Sequence, residues 1–440
     1  MDFSTLSLYN PWWDLSESIE NLENNLLSYY KNAKFKRDYK NAFDFNSDGI
    51  YILRGPRQIG KSTMMKVAIM ELIKKEERKS ILFLPLDTVT DYKTLRDVLF
   101  DYLQYAKDEK KRYVFLDEIS MVDQWQRAIK ELRDNTIYKG DFFILSGSSA
   151  WDIKRSSERL PGRKGKVKSD VLLFPMNFSE NYDNLTESKE NKIILDDILY
   201  LKKDSEFKLK VESRKVEILF QQYINTGGIP SVIDAFQTGE SLKYFYDILW
   251  DVIIGDIEKQ GLSRSRLLEI LRFCAERISN RFSWNSCASS IGMDTKTFQK
   301  YIDVLAYNYS VSVFKSLDKN TLFPREKKQK KMFFYDLFLI KTLENKLGIN
   351  SSNAAIIENI VAINLLYKYG KNLENGLKDY YGVGYWYSKE GKEIDFLVDG
   401  IPIELKYRNS INSDDLKTIK KNPGNTFKTA RTDPFAIWRR

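Results

Sequence analysis

The residues with the clearest chemical potential are Gly55-Pro56-Arg57-Gln58-Ile59-Gly60-Lys61-Ser62-Thr63. They follow a short β-prone apolar run at 50–53 and lead into a helical pattern over 64–75. Glycine at 55 and 60 lets main-chain N–H groups turn inward around phosphate oxygens, where a side chain would block them. Lys61 brings a cation to the β- and γ-phosphates of a nucleotide such as ATP, and Ser62 offers a hydroxyl to Mg2+. The helix that follows adds the positive end of its dipole. A strand, a G-x-x-x-x-G-K-[ST] loop and a helix in that order predict a nucleotide site on residues 55–63.

A second apolar run, 113–116, ends in Asp117-Glu118. A carboxylate at such a strand tip holds magnesium, here Asp117, and an adjacent one polarises the attacking water, which makes Glu118 the candidate general base. An apolar run ending in two acids is common by itself; paired with the loop, it points to hydrolysis rather than binding alone. A third run, 142–145, ends in Ser146-Gly147-Ser148-Ser149. Either a hydroxyl there, with Ser148 the candidate, senses the γ-phosphate or orients water, or the segment is a plain polar turn. Beyond it lie Arg155, Arg159 and Leu160-Pro161-Gly162-Arg163. Arg163 is the candidate arginine finger acting in trans, which requires a homo-oligomer; a solvated loop arginine is the plain alternative.

Another constellation sits near the C-terminus. Asp395 precedes an Asp399-Gly400 turn, and Glu404 and Lys406 follow it. The turn marks a hairpin, and alternation places Glu404 and Lys406 on one side of the sheet with Asp395 within reach. Glu358 lies on the first turn of a helical pattern over 354–367. Carboxylates of this kind, Asp395 and Glu404 above all, hold magnesium for phosphodiester cleavage, and a lysine orients or deprotonates the water. A bare E-x-K is common, because charges alternate along many exposed strands.

Composition bounds the rest. The chain has 440 residues, 70 Lys+Arg against 61 Asp+Glu, a net charge of +9, two cysteines and no histidine. Histidine-based triads and His-ligated zinc or iron are therefore excluded. Cys274 and Cys287 cannot make a thiolate metal site and are expected in the core. The positive charge permits a polyanionic partner such as DNA. No apolar run approaches the roughly 18 residues of a membrane span, which predicts a cytoplasmic protein with no membrane partner.

The elements that must position these residues can also be read. Runs at 50–53, 81–86, 113–116, 142–145 and 171–174 alternate with helical segments, giving an α/β parallel sheet with the nucleotide at its carboxyl edge. Before it, Asn10-Pro11-Trp12-Trp13, a helix over 15–30 and a basic patch (Lys31, Lys34, Lys36, Arg37, Lys40) form an arm over 1–45. Its tryptophans are expected to pack on the body rather than stack on bases. Helices over 264–278, 283–291 and 296–307 precede a hairpin with a basic tip, the pattern of a winged helix-turn-helix over 263–340. There Thr295, Lys296, Thr297, Gln299 and Lys300 would face a DNA groove, and the lysines of 325–331 would contact phosphate. The same module also serves protein docking.

The combination G-P-R-Q-I-G-K-S, F-L-D-E-I-S followed by Trp125, L-S-G-S-S, L-P-G-R, N-P-W-W and G-G-I-P resembles a family of prokaryotic AAA+-like ATPases common in archaea and many anaerobic bacteria. That resemblance implies a P-loop core over 46–177, a small helical lid over 178–262 and a nuclease-like module over 341–440. The C-terminal pattern resembles the PD-(D/E)xK, or restriction-endonuclease-like, superfamily. This likeness makes Glu358 the helical acid, Asp395 the second-motif acid and Glu404 with Lys406 the E-x-K pair. Asp395 follows Ile394 rather than proline, and the tail beyond Lys421 shows no clear closing strand. The expectation is an ATP- and magnesium-dependent ATPase acting on DNA, with a Mg-dependent endonuclease-like module. The alternative is an ATP-dependent protein-binding switch or scaffold with an inert one.

Overall fold

The computed structural model describes residues 3–40, 42–46, 48–135, 140–147, 170–186, 203–370 and 382–405. They fall into two compact units, Met1–Phe174 and Pro175–Arg440.

The first unit is built on five parallel strands: β1 (Gly49–Arg54), β2 (Ile81–Pro85), β3 (Tyr113–Asp117), β4 (Phe142–Gly147) and β5 (Asp170–Leu172). Their order is β2-β3-β4-β1-β5. Every residue of β1, β3 and β4 is buried. A strand covered on both faces needs apolar side chains at successive positions, so these segments read as continuous runs. Successive side chains still point to opposite faces. Ile50, Ile52, Val114 and Leu116 meet Leu99, Tyr102 and Ile129 on one side. Tyr51, Leu53, Phe115 and Ile144 meet Met65 and Ile69 on the other.

At the amino ends of β3 and β4, buried Arg112 donates Nε to Asp141 Oδ2 at 2.7 Å, and Arg133 donates to the Asp141 carbonyl at 2.8 Å. Burial pushes the Asp141 carboxyl above its usual range against the pull of Arg112. This charge pair lies at the strand ends remote from the nucleotide loop, and it ties β3 to β4 there.

The arm closes the open side of β2. Asn10 Nδ2 donates to the Phe83 carbonyl at 3.0 Å, and Phe83 N–H donates to Asn10 Oδ1 at 2.7 Å. The side-chain amide thus imitates one rung of a missing strand. Trp12 and Trp13 both donate their indole N–H to the Ile81 carbonyl, at 3.0 and 2.9 Å. Trp12 is fully buried, so packing on the body accounts for it. Arg37 of the basic patch is buried as well, donating to the Phe174 carbonyl at 2.7 Å.

The second unit begins with the helices Phe178–Thr186, Lys203–Thr226, Pro230–Thr238 and Lys243–Lys259. The turn Gly227-Gly228 between two of them is a packing requirement. A Cβ on Gly228 would stand 2.0 Å from the Met176 carbonyl oxygen, and one on Gly227 2.1 Å from Asp336 Oδ1. Asp336 accepts the N–H groups of Gly228 at 2.6 Å and Phe338 at 2.8 Å, which caps the helix Leu337–Leu347.

Between these parts lie the helices Arg264–Glu276, Trp284–Ser290 and Thr295–Tyr307, then the antiparallel pair β6 (Val311–Lys315) and β7 (Lys330–Phe334). Phe282 bridges to Lys330 as a third short strand position. Cys274 and Cys287 are buried and unbridged. The chain continues through the helix Asn353–Gly370 into β8 (Val383–Tyr387), β9 (Glu393–Val398) and β10 (Ile401–Ile403), an antiparallel sheet in the order β10-β9-β8. β6 runs on into this sheet, because Ser316 bridges to Tyr385 and Leu317 N–H donates to the Tyr385 carbonyl at 2.8 Å. The rings of Phe314, Phe333 and Phe396 pack with centroids 5.0–5.9 Å apart. Hairpin and C-terminal sheet therefore share one core across residue 340.

Two outcomes follow. Asn10→Ala strands two buried backbone groups of β2 and should destabilise the first unit by about 2–4 kcal/mol in denaturant titrations, whereas Ser7→Ala at an exposed site should have little effect. Burial raises the Asp336 carboxyl to about 7, above its unfolded value. Its stabilising contribution is therefore complete below about pH 4 and is lost as pH rises through about 7. The unfolding midpoint of the second unit should fall between about pH 4 and about pH 7, and Asp336→Asn should flatten that fall.

Candidate functional site

The nucleotide loop joins the end of β1 to the helix Lys61–Ile73. Lys61 is 5% exposed, and its ammonium donates to the Gly55 carbonyl at 3.0 Å and the Pro56 carbonyl at 2.8 Å. These bonds hold a positive charge in the bend of the loop, where anionic oxygens are best received. Gly60, the helix N-cap, has φ +99°, and a Cβ there would stand 2.1 Å from the Tyr39 hydroxyl. A Cβ on Gly55 would meet the Leu173 carbonyl oxygen at 2.2 Å. Both glycines are thus dictated by close approach of neighbouring groups. Ile59 is buried beneath the loop, while Gln58 and Ser62 face solvent. Gln58 turns through a left-handed conformation at φ 60°. The cradle fits a polyphosphate because its glycines leave the main chain bare and Lys61 supplies the charge. Tyr39, whose hydroxyl donates to the Ile59 carbonyl at 3.3 Å, braces the loop from behind. Sequence reasoning missed it, since nothing in its local pattern refers to residues twenty positions away.

Asp117 and Glu118 stand at the carboxyl end of β3, and β4 separates that strand from β1. The hydroxyl at the tip of β4 is Ser146, which is fully buried. It donates to Asp117 Oδ1 and accepts the Glu118 N–H at 3.1 Å. One side chain thereby fixes the orientation of the first acid and the backbone of the second. Glu118 takes φ 54°, ψ 46°, a left-handed conformation costly for a residue with a Cβ. Ser148 and Arg163, the expected sensor and finger, lie outside the described residues. Ser146 was legible as a strand-tip hydroxyl, but which serine of Ser146-Gly147-Ser148-Ser149 meets Asp117 depends on strand register.

The structure also brings together Glu358 and Asp395, and adds two groups. Lys331 Nζ lies 3.5 Å from Glu358 Oε2, 2.5 Å from Glu393 Oε1 and 3.6 Å from Asp395 Oδ1. Burial raises the Glu358 carboxyl to about 7, Lys331 pulling it down and Asp395 pushing it up. Burial acts to lower the Lys331 ammonium, but the surrounding carboxylates outweigh it and leave its pKa raised. Glu404 follows β10, and Leu405 N–H donates to Asp395 Oδ2 at 2.8 Å. Lys406 lies outside the described residues. Among those described, no group of three or more acidic or cysteine side chains is arranged to hold a metal.

The expected phosphate contacts of the 325–331 lysines need correction. Lys330 and Lys331 are buried, and Lys330 donates to the main-chain carbonyl of Lys328 at 2.8 Å. β7 alternates, and both of its faces are covered here, so full exposure ends at Lys327. Lys296 and Lys300 on the helix Thr295–Tyr307 are exposed, and Phe298 between them is buried.

Residues 47–182 match the family model of an AAA domain. That segment is similar to an AAA domain. The match spans the nucleotide loop, Asp117 and Ser146 together, and residues 217–353 match a domain of unknown function (DUF8612). An uncharacterised protein of Haemophilus influenzae is 24% identical over 408 residues, covering 86% of this chain and 88% of the relative. The uncharacterised protein MJ1544 of Methanocaldococcus jannaschii is 23% identical over 373 residues, covering 81% and 73%. The Walker-type ATPase PABY2304 of Pyrococcus abyssi aligns with a TM-score of 0.44 and 12% identity, covering 76% of this chain and 99% of that one. No helix among the described residues is long and apolar enough to cross a membrane.

Gly60→Ala combines backbone strain with the Tyr39 collision and should weaken binding of a fluorescent ATP analogue at least about tenfold, read by anisotropy.

Proposed function

We propose that the protein is an ATP-hydrolysing switch that acts on DNA. The observation that carries the first half is the Ser146 hydroxyl clamped between Asp117 and the Glu118 main chain, one strand away from the phosphate loop. Bound ATP with magnesium supplies a polarised γ-phosphoryl group for transfer to water. Lys61 would exchange its two carbonyl partners for β- and γ-phosphate oxygens. Ser62 and Asp117 would hold the magnesium between them, with Ser146 keeping the Asp117 carboxylate turned to the site. Glu118 would accept the proton of the attacking water, its backbone strain fixing the carboxylate at the strand tip. Ser148 and Arg163 keep their proposed roles as sensor and as finger from a second copy in a homo-oligomer.

Support for the second half is the helix Thr295–Tyr307, capped by Asp294 and presenting Lys296 and Lys300 to solvent. It follows two further helices and precedes the β6–β7 hairpin, as the reading helix of a winged helix would. A second reading, a protein-binding switch or scaffold with an inert nuclease-like part, is favoured by the burial of Lys330 and Lys331.

Lys61→Ala and Glu118→Gln should each lower ATP turnover by about a hundredfold or more, and Ser146→Ala by about tenfold, in a phosphate-release assay. Parental rates in both of the first two variants would refute the site. DNA affinity should drop steeply between about 50 and about 200 mM salt. Lys296→Glu with Lys300→Glu should abolish it, and a flat salt response would favour the scaffold.

A further inference from the structure

The carboxylates gathered by the second unit have a cation of their own. We infer that Lys331 is the resident counter-ion of the Glu358–Glu393–Asp395 cluster and keeps divalent metal out of it, so this module does not cleave phosphodiesters there. The inference goes beyond the proposed switch function and does not depend on it.

Three observations converge. The Lys331 side chain is 3% exposed and reaches all three acids, so its ammonium is surrounded rather than passing by. Two of the acids also bind other groups. Glu393 gives Oε1 to Lys331 at 2.5 Å and Oε2 to Arg281 at 2.9 Å. Asp395 gives Oδ2 to the Leu405 N–H at 2.8 Å. A hard cation such as magnesium needs a near-octahedral set of oxygens with free lone pairs, and both Glu393 oxygens and Asp395 Oδ2 already accept from N–H donors. Finally, the strand that carries Lys331 is pinned. That strand is β7, whose Phe334 exchanges two hydrogen bonds with Asn359, at 2.7 Å to Oδ1 and 3.0 Å from Nδ2. Asn359 is the neighbour of Glu358, so the same clasp that seals the edge of β7 sets Glu358 against Lys331.

The same contacts tie the module together. Two cations, Lys331 and Arg281, face three carboxylates and join four segments: the stretch before the helix Trp284–Ser290, β7, the helix Asn353–Gly370 and β9. The cluster is then a staple between hairpin, helix and sheet, with Lys331 buried at its centre and the acids partly exposed. Removing the buried partner of such a set leaves the others uncompensated.

The test is manganese titration of the full chain without nucleotide, followed by electron paramagnetic resonance. An Asp117→Asn background silences the nucleotide loop. That parent should bind no manganese at millimolar concentration. Lys331→Met should gain one bound ion, the gain should disappear in Lys331→Met with Asp395→Asn, and Lys331→Arg should behave as the parent. Without manganese, Lys331→Met should unfold on the order of 10 °C earlier. Stoichiometric manganese on the parent, abolished by Asp395→Asn, would overturn the inference whether or not Lys331→Met folds. So would magnesium-dependent DNA cleavage by the parent that is lost in Asp395→Ala.

Discussion

The buried ammonium of Lys61, held by the carbonyls of Gly55 and Pro56, is the interaction around which the first unit is arranged. A charge that is 5% exposed must be compensated by oriented dipoles, and only a loop that doubles back on itself can aim two carbonyls at one point. That bend requires Gly60 in a conformation closed to other residues, with Tyr39 against it. The bend also requires β1 to end where Leu173 passes over Gly55, which places β5 beside β1. The sheet order then leaves β4 on the other side of β1 and puts Ser146 between the phosphate loop and the acids. The positions of the glycine-rich loop, Asp117 and Glu118 are therefore consequences of one strand order.

Both units finish their sheets by the same device. An edge strand exposes unpaired N–H and C=O groups that invite association with other chains. In the first unit Asn10 satisfies Phe83 of β2, and in the second Asn359 satisfies Phe334 of β7. An amide side chain presents an N–H donor and a carbonyl acceptor at the spacing of a peptide group, so it can replace a strand locally. Each asparagine also anchors the segment that carries it, the aromatic arm in one unit and the Glu358 helix in the other.

The positive charges of a chain with net +9 divide into two populations. Some are spent internally, on Asp141 by Arg112 and on the C-terminal acids by Lys331 and Arg281. Others, Lys296 and Lys300 among them, face solvent on the capped helix and remain available to a polyanion. Net charge alone does not separate the two, because burial depends on which strand face a residue occupies.

The sequence alone determined the nucleotide loop, the Asp117-Glu118 strand tip, the parallel sheet and the approximate spans of its strands. Each of these is local: a glycine spacing, a run of apolar residues, an acid at the end of a run. The meeting of Glu358 and Asp395 rested on the likeness to a nuclease superfamily, because hairpin alternation relates only Asp395, Glu404 and Lys406. Tertiary structure alone decided that Ser146 meets Asp117, that Tyr39 braces Gly60 and that Lys331 turns into the acids instead of toward solvent. Those pairs are 29, 21 and 27 or more residues apart. No local pattern encodes such a meeting; it follows from which strands lie side by side and which way each residue of a strand points.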